Sequence, residues 1–356
     1  MTTIRSLDAR LLNVPLTRPW GERVTSMSVV ATRVELDDGV IGHGFTWTPT
    51  IGGTAVLALL EHEIRDAAVG RDADPRSCWP ELWRHLHEAG GGGITTIALA
   101  GLDLALWDAA AEREGRSITE YLGRTHDEVA VYGSGVNLHY STDELLAQVE
   151  RWIAAGHDAV KIKVGRPSLV EDVDRVREVR RLLGDDRALM LDANQRWDLE
   201  QATEAMHAFE PFAPAWIEEP LLADDLAAHA ELARRIDTPI AVGENLHTRY
   251  RFDEASRSGV RVVQPNIVRV GGITPFLDIA ADAADRGLAL HPHLLPELSG
   301  QLALALPGGH LVEDVEDAGF GALGALDGPS PVEITRGRLR SSGRTGLGLR
   351  FREGPR

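Results

Sequence analysis

Six short apolar segments between residues 161 and 293 each end in polar residues, and they recur at a nearly constant interval. Lys161-Ile162-Lys163, Asp192-Ala193-Asn194, Glu218-Glu219-Pro220, Gly243-Glu244-Asn245, Gln264-Pro265-Asn266 and His291-Pro292-His293 follow one another at spacings of 29, 26, 26, 22 and 27 residues. Each interval holds one βα unit. The strands read as Val129–Tyr132, Ala159–Val164, Ala188–Leu191, Trp216–Ile217, Ile240–Val242, Val260–Val263, Ala289–Leu290 and His310–Val312, with helices such as Thr142–Ala155, Val170–Leu183 and Leu199–Ala208 between them. Repeated βα units give a parallel sheet, and about eight of them close into a (β/α)8 barrel of the TIM type. The polar ends then share the C-terminal rim, where such barrels build active sites. A doubly wound nucleotide-binding sheet is the competing architecture, but no G-x-G-x-x-G directly follows a strand and no Walker A motif occurs.

The region before the barrel has a different texture. Val29–Leu36 reads as a strand, Asp37-Asp38-Gly39 as a turn and Val40–Phe45 as its return; helices follow over Ala55–Val69 and Ile97–Glu114. Beyond Asp317 the chain is Gly-rich and irregular and is expected to return to the N-terminal part. The division is therefore an α+β domain over 1–125, the barrel over 126–316, and a C-terminal segment over 317–356 that rejoins the first.

Charge narrows the partners. With 37 Lys and Arg against 54 Asp and Glu, the 356-residue chain has a formal charge of −17, which disfavours nucleic acid and anionic membranes. Cys78 is the single cysteine, so an intramolecular disulfide and a multi-cysteine zinc or iron–sulfur site are excluded. Neither a secretory leader nor an uninterrupted apolar run of membrane-spanning length is read in the sequence, and a cytoplasmic protein is expected.

Asp192, Glu218 and Glu244 close adjacent strands. Two like charges 4 Å apart repel by about 4 kcal/mol at an effective dielectric of about 20, so either protons or a cation must separate them. An all-oxygen donor set favours a hard ion, Mg2+. Lys161 and Lys163, at i and i+2 of a strand, share a face. Partial desolvation and their mutual repulsion should lower the amine pKa and yield a usable base. His293 is the second acid–base candidate, with Glu297 and Glu313 near it in sequence and suited to orient it or to donate a proton; Glu297 is also a candidate substrate contact. A zinc pair at His291-x-His293 is the weaker alternative.

This set resembles the enolase superfamily, in its mandelate-racemase-like branch. The resemblance is carried by Ala98–Asp108, Val160–Gly165, Asp192–Asn194, Ile217–Pro220, Gly243–Asn245 and Gly271–Thr274, in that order. It implies a barrel with a capping domain, and removal of the proton α to a carboxylate with Mg2+ holding the enediolate. Asp192, Glu218 and Glu244 match the metal ligands, Lys163 the base, Lys161 its neighbour, His293 the acid–base group on the opposite face, and Glu313 an acid that hydrogen-bonds the enediolate. Asn194 and Asn245 match contacts to substrate or ligands. The lid would come from Pro15–Arg23 and Thr46–Gly53, with Trp20, Arg18, Arg23 and Trp47 as substrate contacts and Arg18 or Arg23 suited to a distal carboxylate. Homo-oligomers are also implied.

One position departs from the pattern. The racemase-like branch usually has Asp after the sixth strand and the muconate-lactonising branch has Lys; here it is Asn266. An amide can fix an imidazole tautomer but does not stabilise imidazolium as a carboxylate does. His293 is then better suited to act as an acid than as a base. That favours dehydration of an acid sugar (an aldonate or aldarate) over racemisation, epimerisation or cycloisomerisation. A catalytically silent binding protein is disfavoured by the intact lysine and three acids.

Overall fold

The computed structural model describes residues 2–21 and 23–352. The chain opens with an antiparallel meander, β1 (Ile4–Trp20), β2 (Val24–Leu36) and β3 (Ile41–Thr48). The expected loop at Pro15–Arg23 is therefore mostly strand: β1 and β2 pair from Ile4 through Pro15 and again at Trp20, forming a hairpin arm turned at Gly21. Thr46–Thr48 likewise belongs to β3. Helices α1 (Gly53–Leu59), α2 (Arg65–Ala68), α3 (Pro75–Leu86), α4 (Ile94–Arg113) and α5 (Ile118–Tyr121) complete the cap. Helix α4 is long and apolar enough to cross a membrane by composition, which the sequence reading overlooked. It is instead the core of the cap, with 16 of its 20 residues buried.

The barrel follows as β4 (Val129–Ser134), β5 (Ala159–Lys163), β6 (Ala188–Asp192), β7 (Ile217–Glu218), β8 (Ile240–Val242), β9 (Val262–Val263), β10 (Ala289–Leu290) and β11 (Leu311–Val315). They alternate with α6 (Thr142–Ala154), α7 (Leu169–Leu183), α8 (Leu199–Phe209), α9 (Leu226–Arg235), α10 (Arg249–Arg257), α11 (Ile273–Asp285) and α12 (Pro296–Ala303). Local chemistry starts these helices: Ser141 with Glu144 and Asp198 with Gln201 form capping boxes, and Asp225 caps α9. Neighbouring strands pair in parallel from β4 to β10, and β11 pairs back onto β4. Side chains bridge the β10–β11 seam. The Leu311 N–H donates to His291 Nδ1 at 3.0 Å, and His310 Nδ1 bonds the Leu290 carbonyl at 2.8 Å. A hairpin of β12 (Val332–Thr335) and β13 (Arg338–Ser341) lies antiparallel on β4. The chain then crosses to the cap, where the Leu347 N–H donates to Asp108 at 2.6 Å and Phe351 packs on Phe45.

The cap docks on α11 through the Gly271-Gly272-Ile273-Thr274 segment. The Thr274 N–H and hydroxyl donate to the buried Asp103 carboxylate of α4 at 3.0 and 2.5 Å, and the Trp107 indole donates to the Thr274 hydroxyl at 2.9 Å. Gly272 has φ +115°, and a Cβ there would sit 2.2 Å from an Asp103 oxygen, so only glycine admits this contact. Burial pushes the Asp103 carboxyl up to about 7, against the pull of the hydrogen bonds from Thr274.

Candidate active site

Register sets the first part of the site. Lys163 is level with Asp192, and Asp192 with Glu218, so three charged side chains leave adjacent strands at one height on the C-terminal rim. Lys161 lies one pleat deeper. Its ammonium binds both Glu218 oxygens at 2.8 Å and Glu313 at 2.7 Å, and lies 5.6 Å from the centre of the Tyr132 ring. Gln264 donates to the same Glu218 carboxylate at 2.7 Å. Lys163 pairs with Asp192, and its backbone N–H donates to the buried Asn137 side chain at 2.9 Å.

The lysines differ from expectation in charge state. Burial pushes both amines down, but the carboxylates of Glu218 and Glu313 around Lys161, and of Asp192 beside Lys163, outweigh it and hold both above the ordinary lysine value. The acids bear the complementary cost: burial and the nearby Asp192 charge raise Glu218.

His293 lies across the mouth, just after β10. Its Nε2 is 2.7 Å from Glu244, and its Nδ1 is 3.0 Å from the Asn266 amide nitrogen. The other end of that amide is occupied, because Asn266 Oδ1 accepts the Val268 and Arg269 N–H groups, both at 3.1 Å. The amide nitrogen must therefore donate to Nδ1, which leaves the ring proton on Nε2, facing the site. His291 faces elsewhere. Its Nδ1 accepts from Leu311, its ring stacks on Trp216, and burial together with His310 lowers it to about 4, so it is a neutral residue held at the β10–β11 seam.

Several expected roles change. Glu313 was expected to carry a proton. It accepts from the Ser134 hydroxyl at 2.7 Å and the Leu294 N–H at 3.0 Å, and although burial opposes ionisation, Lys161 holds it below the usual carboxylate range. It is an ionised acceptor. Glu297 does not reach His293; it is buried and accepts the Gly321 N–H at 2.9 Å. Arg18 is not a substrate contact: it binds Asp317 at 2.8 Å and Glu316 at 3.6 Å, tying the hairpin arm to the end of β11. Trp47 is buried, with its ring 6.3 Å from that of Trp20. Asn245 donates to Glu219 at 2.7 Å and to Glu244 at 3.1 Å, linking acids behind the rim. Trp20, Arg23 and Asn194 do line a cleft of about 770 Å3 that opens beside Lys163. Ser134, Asn137, Gln264 and Glu219 were missed. Gln264 and Glu219 stand inside two of the recurring strand ends, Gln264-Pro265-Asn266 and Glu218-Glu219-Pro220, but Ser134 and Asn137 carry no pattern that separates them from ordinary polar residues.

Among the described residues no three His, Cys, Asp or Glu side chains already enclose a cation-sized space. Each acid is turned to a partner: Asp192 to Lys163, Glu218 to Lys161, Glu244 to His293. The donor chemistry nevertheless fits a hard divalent cation, since Asp192 and Glu218 are fully buried like-charged oxygen donors on neighbouring strands, with Glu244 following the next.

Residues 3–123 match the mandelate racemase / muconate lactonizing enzyme N-terminal domain, and residues 144–354 match the enolase C-terminal domain-like family. The chain is 36% identical over 90% of its length to a 3,6-anhydro-alpha-L-galactonate cycloisomerase of Streptomyces coelicolor, covering 88% of that protein. It is 37% identical over 93% of its length to an L-talarate/galactarate dehydratase of Salmonella typhimurium, covering 82% of it. Among solved structures, an L-talarate dehydratase from Polaromonas sp. JS666, complexed with Mg and L-glucarate, superposes with a TM-score of 0.86 at 37% identity, over 99% of this chain and 96% of that one.

Proposed function

Because the chain belongs to the mandelate racemase / muconate lactonizing enzyme family, we propose that it is a Mg2+-dependent acid sugar dehydratase in which Lys163 is the base and His293 the acid. Asp192, Glu218 and Glu244 are the residues that would hold Mg2+, which when bound supplies positive charge against the substrate carboxylate as that group gains electron density. Lys163 takes the proton from the carbon next to the carboxylate. It must be neutral to do so. Its ammonium is held charged by Asp192, with Glu244 and Glu218 adding to the pull; with all three acids committed to a cation, burial and the Lys161 charge remain, and both favour the neutral amine. Lys161, locked between Glu218 and Glu313, keeps a fixed positive charge behind the base. His293 gives its Nε2 proton to the β-hydroxyl, which leaves as water. The enol that results becomes a 2-keto-3-deoxy acid.

The observation that carries this reading is the Asn266 hydrogen-bond pattern. An imidazole whose Nδ1 accepts from an amide presents a proton and not a lone pair to the substrate. That suits expulsion of water and disfavours a second base. Epimerisation or cycloisomerisation shares the first step, and the cycloisomerase relative keeps it in view. Incubation with Mg2+ and a panel of aldonic and aldaric acids in D2O, followed by NMR, separates them. Dehydration gives a 2-keto-3-deoxy product. A C2 epimer with its hydroxyls intact, formed with no 2-keto-3-deoxy product, would contradict it.

A further inference from the structure

Beyond Lys163 and Asn194, the cleft is lined by cations. Arg23, Arg166 and Arg196 all border it, with His139 and Trp20, and among the described residues Glu171 is the only carboxylate that lines it. This is a local reversal in a chain of net charge −17. The three guanidinium groups are not equivalent. Arg166 is committed: it donates to the carbonyls of Leu138 and Tyr140 and lies 3.5 Å from Glu171. Arg196 and Arg23 make no side-chain hydrogen bond or ion pair with any described residue. Arg196 is directed by packing. Its stem crosses Gly165, where a Cβ would come within 2.8 Å of Arg196 Cδ, so the guanidinium is carried over the turn that follows Lys163. Arg23 follows the tip of the hairpin arm, and Arg18 pins that arm to the end of β11. Two cations with no side-chain hydrogen bond or ion pair to any described residue thus border one cleft from the barrel and from the cap.

We propose that this cleft is an anion subsite, and that the substrate is a sugar acid with a carboxylate at each end, its distal carboxylate held by Arg196 and Arg23. Guanidinium groups recognise carboxylates by paired, charge-assisted hydrogen bonds. A cleft of about 770 Å3 lies within the usual ~300–1,000 Å3 of small-molecule sites. A monocarboxylate would place a neutral hydroxymethyl group against two exposed guanidinium groups and forgo the charge-assisted hydrogen bonds that a second carboxylate makes. Arg166 shapes the wall and is not assigned to the substrate. This inference rests on the proposed reaction only for the identity of the near carboxylate.

The test compares configurationally matched aldarate and aldonate pairs, with a 6-phosphoaldonate as a third arm. Turnover with Mg2+ should favour the diacid by about 10–100-fold in kcat/KM, the range of one or two charged hydrogen bonds. Arg196→Ala should raise KM for the diacid with a smaller change in kcat, and bring the ratio to within a few-fold; Arg196→Lys should recover part of it. Equilibrium binding of the same pairs to Lys163→Ala protein makes the test independent of turnover, and the diacid preference should persist there and fall in the Lys163→Ala/Arg196→Ala protein. Equal binding of mono- and diacid, or a preference that Arg196→Ala leaves untouched, would overturn the subsite. Preference for the phosphorylated monoacid would overturn the carboxylate assignment. Failure of both classes either to exchange the C2 proton or to lose water would refute the proposed reaction, while the binding ratio would still decide the subsite.

Discussion

The Asn266 side chain has two ends with different neighbours. Its oxygen is taken by two backbone N–H groups, and its nitrogen meets His293 Nδ1. Asp at this position would accept from Nδ1 and stabilise a charged ring, moving the active lone pair to Nε2. We therefore expect Asn266→Asp to acquire C2 exchange on the face opposite Lys163, read as epimer formation by NMR, together with dehydration slowed by about 10-fold or more. Unaltered stereochemistry with unaltered dehydration would remove the role given to the amide. Lys163→Ala should lower dehydration by about 10²–10⁴-fold, the usual contribution of a positioned base. The same scale shows where sequence reasoning stops. The residue types at 161, 163, 192, 218, 244 and 293 were legible because polar groups interrupt apolar strands at one interval. The directions of Arg18 and Glu297 were not, because their partners, Asp317 and Gly321, lie 299 and 24 residues away and are brought near only by the fold.

Between elements, the junction of α4 with α11 joins cap to barrel, and it rests on a carboxyl that is raised by burial to about 7. An unfolded aspartate titrates near 3.9, so between about pH 4 and 7 the folded protein binds the extra proton. The contribution of Asp103 is thus fully present below pH 4 and is lost as pH rises towards 7, by up to ~4 kcal/mol at about 1.4 kcal/mol per unit. Asp103→Asn cannot ionise. Its unfolding free energy, measured by denaturant titration relative to the natural protein, should improve progressively across that window; a constant difference would contradict the account. Gly272→Ala drives a methyl group into Asp103 at a positive φ, and should cost about 3 kcal/mol or more in the same measurement. The barrel strands were legible as elements because each is a short apolar run. The arm of β1 was not, since Pro15, Arg18 and Pro19 within it read as loop, and α3 was passed over with Pro80 inside it. Both errors share a cause: tertiary pairing and packing overrode local propensity.

Over the whole molecule, buried acids and buried bases neutralise one another, and a divalent cation should rearrange that balance. Mg2+ at about 100 times its Kd should stabilise the fold by ~2.7 kcal/mol, seen as a rise in Tm that is absent in Glu244→Gln. The central claim is that committing these carboxylates to Mg2+ frees the Lys163 amine to break a carbon–hydrogen bond. The most direct measurement is wash-in of solvent deuterium at C2 of a bound sugar acid, or its primary isotope effect when water loss follows at once, with and without Mg2+, in natural and Lys163→Ala protein. The account predicts C–H cleavage only when metal and amine are both present; cleavage that persists after chelation, or in the absence of the amine, would contradict it.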